Sequence, residues 1–167
     1  METRLIKDVQ ITASSEYSKN HAAVQARLNF KAGGGKNGGW SALSNDANQW
    51  IQVALGNFSD VTGIATQGRN GNNQWVTKYQ LQYSDDGVNF DFYKASGQSS
   101  PKVKPYQSDR QFSIAFMAPF TANYLRIFYS FIGRFTGDII LQLMFRCSME
   151  VRTARDNLQS TFVDINV

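Results

Sequence analysis

Five runs along the chain place apolar residues at every second position, and that period suits only one kind of element. Ile51, Val53 and Leu55 alternate with Gln52 and Ala54, and Tyr79, Leu81 and Tyr83 alternate with Gln80 and Gln82. The spacing recurs in Phe112, Ile114 and Phe116, in Leu125, Ile127 and Tyr129, and in Leu141, Leu143 and Phe145. Successive strand side chains point to opposite faces, so each run offers one face to a core and one to solvent. Helical periodicity is hard to find before residue 148. Runs separated by turn residues predict an antiparallel sandwich or barrel and exclude βαβ units.

Between two of these runs, Ser84-Asp85-Asp86-Gly87 predicts a hairpin turn, with Gly87 left-handed and an Asp side chain capping the free amides. Paired carboxylates can also bind metal, but no third ligand lies nearby in sequence. Residues 31–39, KAGGGKNGG, hold five glycines. That predicts a long mobile binding loop, too flexible for regular structure. It lacks the strand-loop-helix frame and the Lys-Ser/Thr pair of a phosphate-binding loop.

At 167 residues the chain fits one domain with a real core. Residues 1–147 are expected to form the β domain, and residues 148–167, weakly periodic, a linker or short terminal extension outside it. The net charge of +4 is modest and forms no basic arm or stripe, so nucleic acid is not an expected partner. One His, one Cys and no constellation of nucleophile, base and orienter argue against an enzyme. No apolar run approaches the ~20 residues of a membrane span.

The ordered segments ITASS (11–15), ARLN (26–29), GGWSA (38–42), QWIQVALG (49–56), VTGIATQGR (61–69), WVTKYQLQYSDDGVNF (75–90) and YLRI (124–127) resemble the discoidin family, the type C domains of coagulation factors V and VIII. The resemblance covers roughly Val9 to Cys147. It implies an all-β, distorted antiparallel jelly-roll barrel of the galactose-binding-like kind, which binds ligands through three loops, or spikes, at one end. By motif order these are residues 16–23, 31–39 and 70–74.

The family comparison therefore implies a recognition or adhesion module for glycans or extracellular and cell-surface proteins. Tyr17 would supply a stacking face, and Lys19, Lys31 and Lys36 attraction to acidic groups. Asn37, Arg69, Asn70, Asn72, Asn73 and Gln74 would complete a basic, amide-rich site that reads sugar hydroxyls. The alternative is peripheral binding to anionic, phosphatidylserine-containing membranes. It ranks second, because Tyr17 is the one apolar tip found in the spikes. His21 reads as a loop residue, and Trp40, Trp50 and Trp75 as core or rim packing.

Ala54, Gln142 and Met144 stand where the family usually has Asp, Arg and Glu, which predicts a buried polar network lost as a unit. Cys147 matches the family's C-terminal cysteine, whose disulfide partner is absent from this chain. The start METRLIKDVQI has no signal-peptide pattern. The expectation is thus a piece of a longer secreted or cell-surface parent. Asn57-Phe58-Ser59 is a glycosylation sequon in a predicted turn. No cofactor is expected; for the structural calcium that some sugar-binding relatives hold, Asp46 and Asp60 are the nearest loop acids.

Overall fold

The structure, a computed structural model, describes residues 6–69, 74–76, 78–94, 103–105, 113–131, 140–148 and 162–165. The strands are β1 (Ile11–Ala13), β2 (Trp40–Ser41), β3 (Trp50–Gln67), β4 (Lys78–Ser84), β5 (Asp91–Phe92), β6 (Val103–Pro105), β7 (Ser113–Phe131), β8 (Ile140–Ser148) and β9 (Phe162–Ile165). They hydrogen-bond in the order β2-β8-β3-β7-β4-β5, with β1 on β3, β6 on β4 and β9 on β8. Each of these pairings is antiparallel. The helical content among the described residues is three 3-10 turns, at Asp8–Gln10, Lys19–His21 and Ala23–Ala26. The all-β jelly-roll reading of the sequence holds.

Alternation did its expected work inside the barrel. Ile51, Val53, Leu125 and Ile127 are fully buried, and Tyr79 and Leu81 nearly so. Each such side chain contributes about 1.5–3 kcal/mol by leaving water. Trp40 is buried completely, and its indole Nε1 donates to the carbonyl of Ser15 at 2.9 Å. Trp50 and Trp75 are half-buried. On the outer face the Arg126 guanidinium lies between Trp50 and Phe90, 4.2 and 3.7 Å from the ring centroids. Its Nε and Nη2 donate to Gln52 Oε1 at 3.1 and 2.7 Å. The desolvation this causes lowers the Arg126 pKa, though a guanidinium keeps its charge.

Strand lengths differ from the sequence reading. The separate runs around Ile114 and Ile127 belong to one strand, β7, with Phe112 outside the described residues. Likewise β3 continues past Leu55 to Gln67. Gly56, at φ +85°, and Asn57 do not end β3 as turn residues would. They are absorbed where its register against β7 shifts, between Ala54–Tyr124 and Ser59–Ala122. A bulge adds residues to one side of a ladder and bends it without ending the pairing.

One further expectation changes. Residues 162–165, placed in a linker or terminal extension outside the domain, pair with β8, Phe162 opposite Ser148 and Ile165 opposite Phe145. The β-forming trio Phe162, Val163 and Ile165 suits that position. Ala54 is half-buried and faces Tyr124, whereas Met144 and Gln142 face Ala65 and Gln67. No two of these three positions are ladder partners.

The turn after β4 forms as expected. Asp86 Oδ1 accepts from the backbone N–H of Val88 and of Asn89, both at 2.8 Å, and Oδ2 accepts from Asn89 Nδ2 at 2.7 Å. Ser84 Oγ accepts from Gly87 N–H at 2.9 Å and donates to Asp86 Oδ1 at 2.9 Å. The amide bonds, Asn89 first and then Val88, hold the Asp86 carboxyl far below its ordinary range. Gly87 has φ +75°, and a Cβ there would lie 3.0 Å from the Tyr124 ring.

Gly87→Ala should therefore cost about 1–2 kcal/mol of left-handed strain, plus the displacement of Tyr124, measured by urea unfolding. Because the folded pKa of Asp86 is depressed, its contribution is complete above the ordinary value of 3.8. It is lost as pH falls through the folded value. Melting temperature against pH should fall on the acid side less steeply for Asp86→Asn than for the parent chain.

Candidate functional site

Both ends of β3 reach the same end of the barrel. At its start, the Trp50 carbonyl accepts from Ser14 N–H at 2.9 Å, just before the first loop. Beyond its end, Arg69 begins the third loop. The first loop, residues 16–23, is closed by Glu16 Oε1, which accepts from Ala23 N–H at 2.7 Å. It is tied to β2 by Tyr17 N–H donating to the Ser41 carbonyl at 2.8 Å. Ser18 Oγ caps its 3-10 turn by accepting from Asn20 N–H at 3.2 Å.

The glycine-rich second loop is better defined than the sequence suggested. Gly33 and Lys36 exchange two backbone hydrogen bonds, both 3.0 Å. Gly34 and Gly35 between them take φ +59° and +79°, with open space where side chains would stand. This is a tight turn rather than an irregular loop, because glycine adopts paired left-handed angles without steric cost.

The loops are joined at Asn37. Its N–H donates to the Asn20 carbonyl at 3.0 Å and to Gln25 Oε1 at 3.1 Å. Its side-chain Nδ2 lies 3.0 Å from His21 Nε2, and its carbonyl accepts from Arg69 Nε at 2.7 Å. Arg69 Nη1 in turn donates to Gln74 Oε1 at 2.6 Å, and Arg69 N–H to the Gln74 carbonyl at 2.9 Å. One asparagine thus connects the first, second and third loops. His21, only 5% exposed, packs its ring edge-on to Tyr17 at 5.3 Å.

Ser18 Oγ lies 2.9 Å from His21 Nδ1, a contact that superficially suggests a nucleophile and its base. Asn37 Nδ2 also contacts this ring, 3.0 Å from Nε2 and 3.4 Å from Nδ1, so the imidazole is held within the loop junction. A Ser-His contact alone does not make a nucleophile, which also needs a third group to orient the ring as a base.

The sequence-derived candidates divide by role. Tyr17, Lys19, Lys31 and Lys36 are exposed, Lys36 standing 5.5 Å from the Phe30 ring centroid. Asn37, Arg69 and Gln74 are half-buried and bonded to one another. Asn70, Asn72 and Asn73 lie outside the described residues. Two residues of this end were missed. His21 is a junction residue, and Leu43, 62% exposed, sits beside the first loop, its N–H held by Ser15 Oγ at 3.0 Å. A leucine among polar residues directly after GGWSA was the available signal.

Among the described residues there is no cluster of three His, Cys, Asp or Glu able to hold a metal. Asp46 accepts from Asn48 N–H and Gln49 Nε2 at 2.8 and 3.0 Å. Those bonds, Gln49 first, lower its pKa. Asp60 accepts from Thr121 Oγ1 at 2.7 Å.

Residues 10–129 match the model of the F5/8 type C domain, and the chain belongs to that family. It is 36% identical over 137 residues to lactadherin of Bos taurus, and 36% over 132 residues to that of Rattus norvegicus. Each match covers 76% of this chain and 31% of the relative, so the chain spans about a third of those proteins' length. The fold is shared with discoidin II of Dictyostelium discoideum, at TM-score 0.72 and 23% identity, over 85% of this chain and 56% of that one. It is also shared with a family 32 carbohydrate-binding module from Clostridium perfringens in complex with galactose. That match has TM-score 0.58 and 22% identity, over 81% of this chain and 90% of the module.

Asn37 holds Asn20, Gln25 and Arg69 through its backbone, so Asn37→Ala loses only the Nδ2 contact with His21 and should cost no more than about 1 kcal/mol. Arg69→Ala, which removes the donor to the Asn37 carbonyl and to Gln74 Oε1, should raise amide exchange at Asn37 and Arg69 together while the β3–β7 ladder stays protected. Arg69→Lys should restore the loops only partly, since a point ammonium cannot reproduce the planar fork.

Proposed function

For this F5/8 type C domain we propose extracellular recognition of glycans, or of glycan-bearing and acidic cell-surface proteins, through the three-loop end of the barrel. The observation that carries the reading is the Asn37 junction. It gathers three loops into one surface and leaves Tyr17, Lys19, Lys31 and Lys36 exposed around it. A preorganised surface spends less binding energy on ordering itself. Tyr17 offers a ring to the apolar face of a sugar, and its edge contact with His21 limits its freedom. The lysines attract carboxylate or sulfate groups. The galactose complex of a family 32 module with the same fold supports a sugar ligand for this architecture.

In this reading Arg69 and Gln74 position the loops, and the exposed residues meet the ligand. Compared with the sequence alone, that shifts the contact surface toward the first and second loops. The barrel is a scaffold whose specificity lies in its loops. We place it in an extracellular or cell-surface protein longer than this chain.

A second reading, peripheral attachment to anionic membranes, gains from Leu43. It gives the loop end a second exposed apolar side chain besides Tyr17. An apolar pair flanked by lysines suits shallow insertion with headgroup attraction.

A glycan array should return binding that Tyr17→Ala weakens about 10-fold, the ~1.4 kcal/mol scale of a stacked ring. Replacing Lys19, Lys31 and Lys36 with Gln should flatten the salt dependence. No glycan binding by the folded domain would remove the sugar reading. Co-sedimentation with phosphatidylserine vesicles that survives high salt and is lost in Leu43→Asn would favour the membrane instead.

A further inference from the structure

The end of the barrel opposite the loops carries an unassigned feature. Because β3 starts and finishes at the loop end, its bend at residues 55–58 lies at the other. Gly56, Asn57 and Phe58 are exposed there, Phe58 by 59%. Two further exposed apolar residues belong to this end, Val9 at 84% and Val88 at 80%. Val9 precedes Gln10, whose Nε2 donates to the Ala54 carbonyl at 2.7 Å. Val88 follows Gly87, which abuts Tyr124, the ladder partner of Ala54. Asn57-Phe58-Ser59 at the apex is the sole Asn-X-Ser/Thr sequence in the chain, and its middle residue is not proline.

We propose that Asn57 is an N-glycosylation site, and that its glycan stands over the apolar end of the barrel while leaving the binding loops open. Asn57 Nδ2 attacks C1 of a lipid-linked oligosaccharide pyrophosphate. The C1–Nδ2 bond forms and the C1–O bond breaks. The lipid pyrophosphate departs with the electron pair, and the amide yields one proton to a base of the transferase. Ser59, which the transferase must read, is 1% exposed in the folded barrel, with Oγ donating to the Asn57 carbonyl at 3.0 Å. Transfer therefore precedes closure of β3 against β7, while the chain is still entering the secretory compartment. Asn57 itself stays outside, so the finished glycan is compatible with every contact of the core.

The inference rests on the extracellular reading for the route the chain takes, and the test supplies that route. The full chain, directed into the secretory pathway of cultured animal cells by an added leader, is recovered from the medium and its intact mass measured. The expected result is a single glycan increment, removed by a peptide amidase that converts Asn57 to aspartate. The increment should be absent from both Asn57→Gln and Ser59→Ala. Folded Asn57→Gln should keep the glycan or vesicle binding of the parent, since the site lies away from the loops. An unmodified secreted chain, or an increment that persists in Asn57→Gln, overturns the proposal. Failure of loop-end binding leaves the mass result standing, so the two readings fail separately.

Discussion

The antiparallel pairing of β3 with β7, carried through a shared bend, is the constraint on which the rest of the molecule depends. Trp50 to Ala54 pairs with Phe128 to Tyr124, and after the shift Ser59 to Thr66 pairs with Ala122 to Ser113. Two long strands that turn together convert one ladder into two walls around a common core, with Ile51 and Val53 in one wall and Val61 and Ile64 in the other. The bend also sorts the ends of the barrel. It sends both termini of β3 to the loop end and leaves Asn57 at the far one. Binding loops, apolar apex and sequon are thus separated by the path of a single strand.

At the loop end, organisation comes from backbone groups as much as from side chains. The Asn37 N–H and carbonyl are both occupied, by Asn20 and Gln25 on one side and Arg69 on the other. Half-buried polar groups of this kind are costly to leave unmade, so the junction resists separation even though each bond contributes little net. Arg69 suits it because its rigid fork reaches two loops, one through Nε and one through Nη1. Half-buried Asn37, Arg69 and Gln74 set the loop positions, while Tyr17, Leu43 and the lysines stay exposed, which suits the partner-binding role proposed for them.

Much of the fold was legible in the sequence because alternation reports burial directly. Ile51, Val53, Tyr79, Leu81, Leu125 and Ile127 all lie inward as their spacing requires. The capped turn at Asp86 and Gly87 was legible because its chemistry is local, each bond spanning three residues or fewer. Strand ends were less so. Gly56 and Asn57 carry a turn signal that the ladder absorbs as a bulge, since cross-strand pairing outweighs a local preference. The glycines of the second loop signal flexibility in sequence, and those same glycines permit the tight turn that Gly33 and Lys36 close.

The sequence by itself determined the class of fold and the family, because periodicity and motif order persist without knowledge of distance. Only the tertiary structure decided which described loop residues are bonded inside the junction and which stay exposed. Arg69 and Tyr17 carry equal promise as ligand contacts in one dimension. In three, Arg69 is held by a carbonyl 32 positions away in the chain, while Tyr17 is open to solvent. Long-range hydrogen bonds leave no trace in local composition, and solvent exposure is a property of the packed barrel alone.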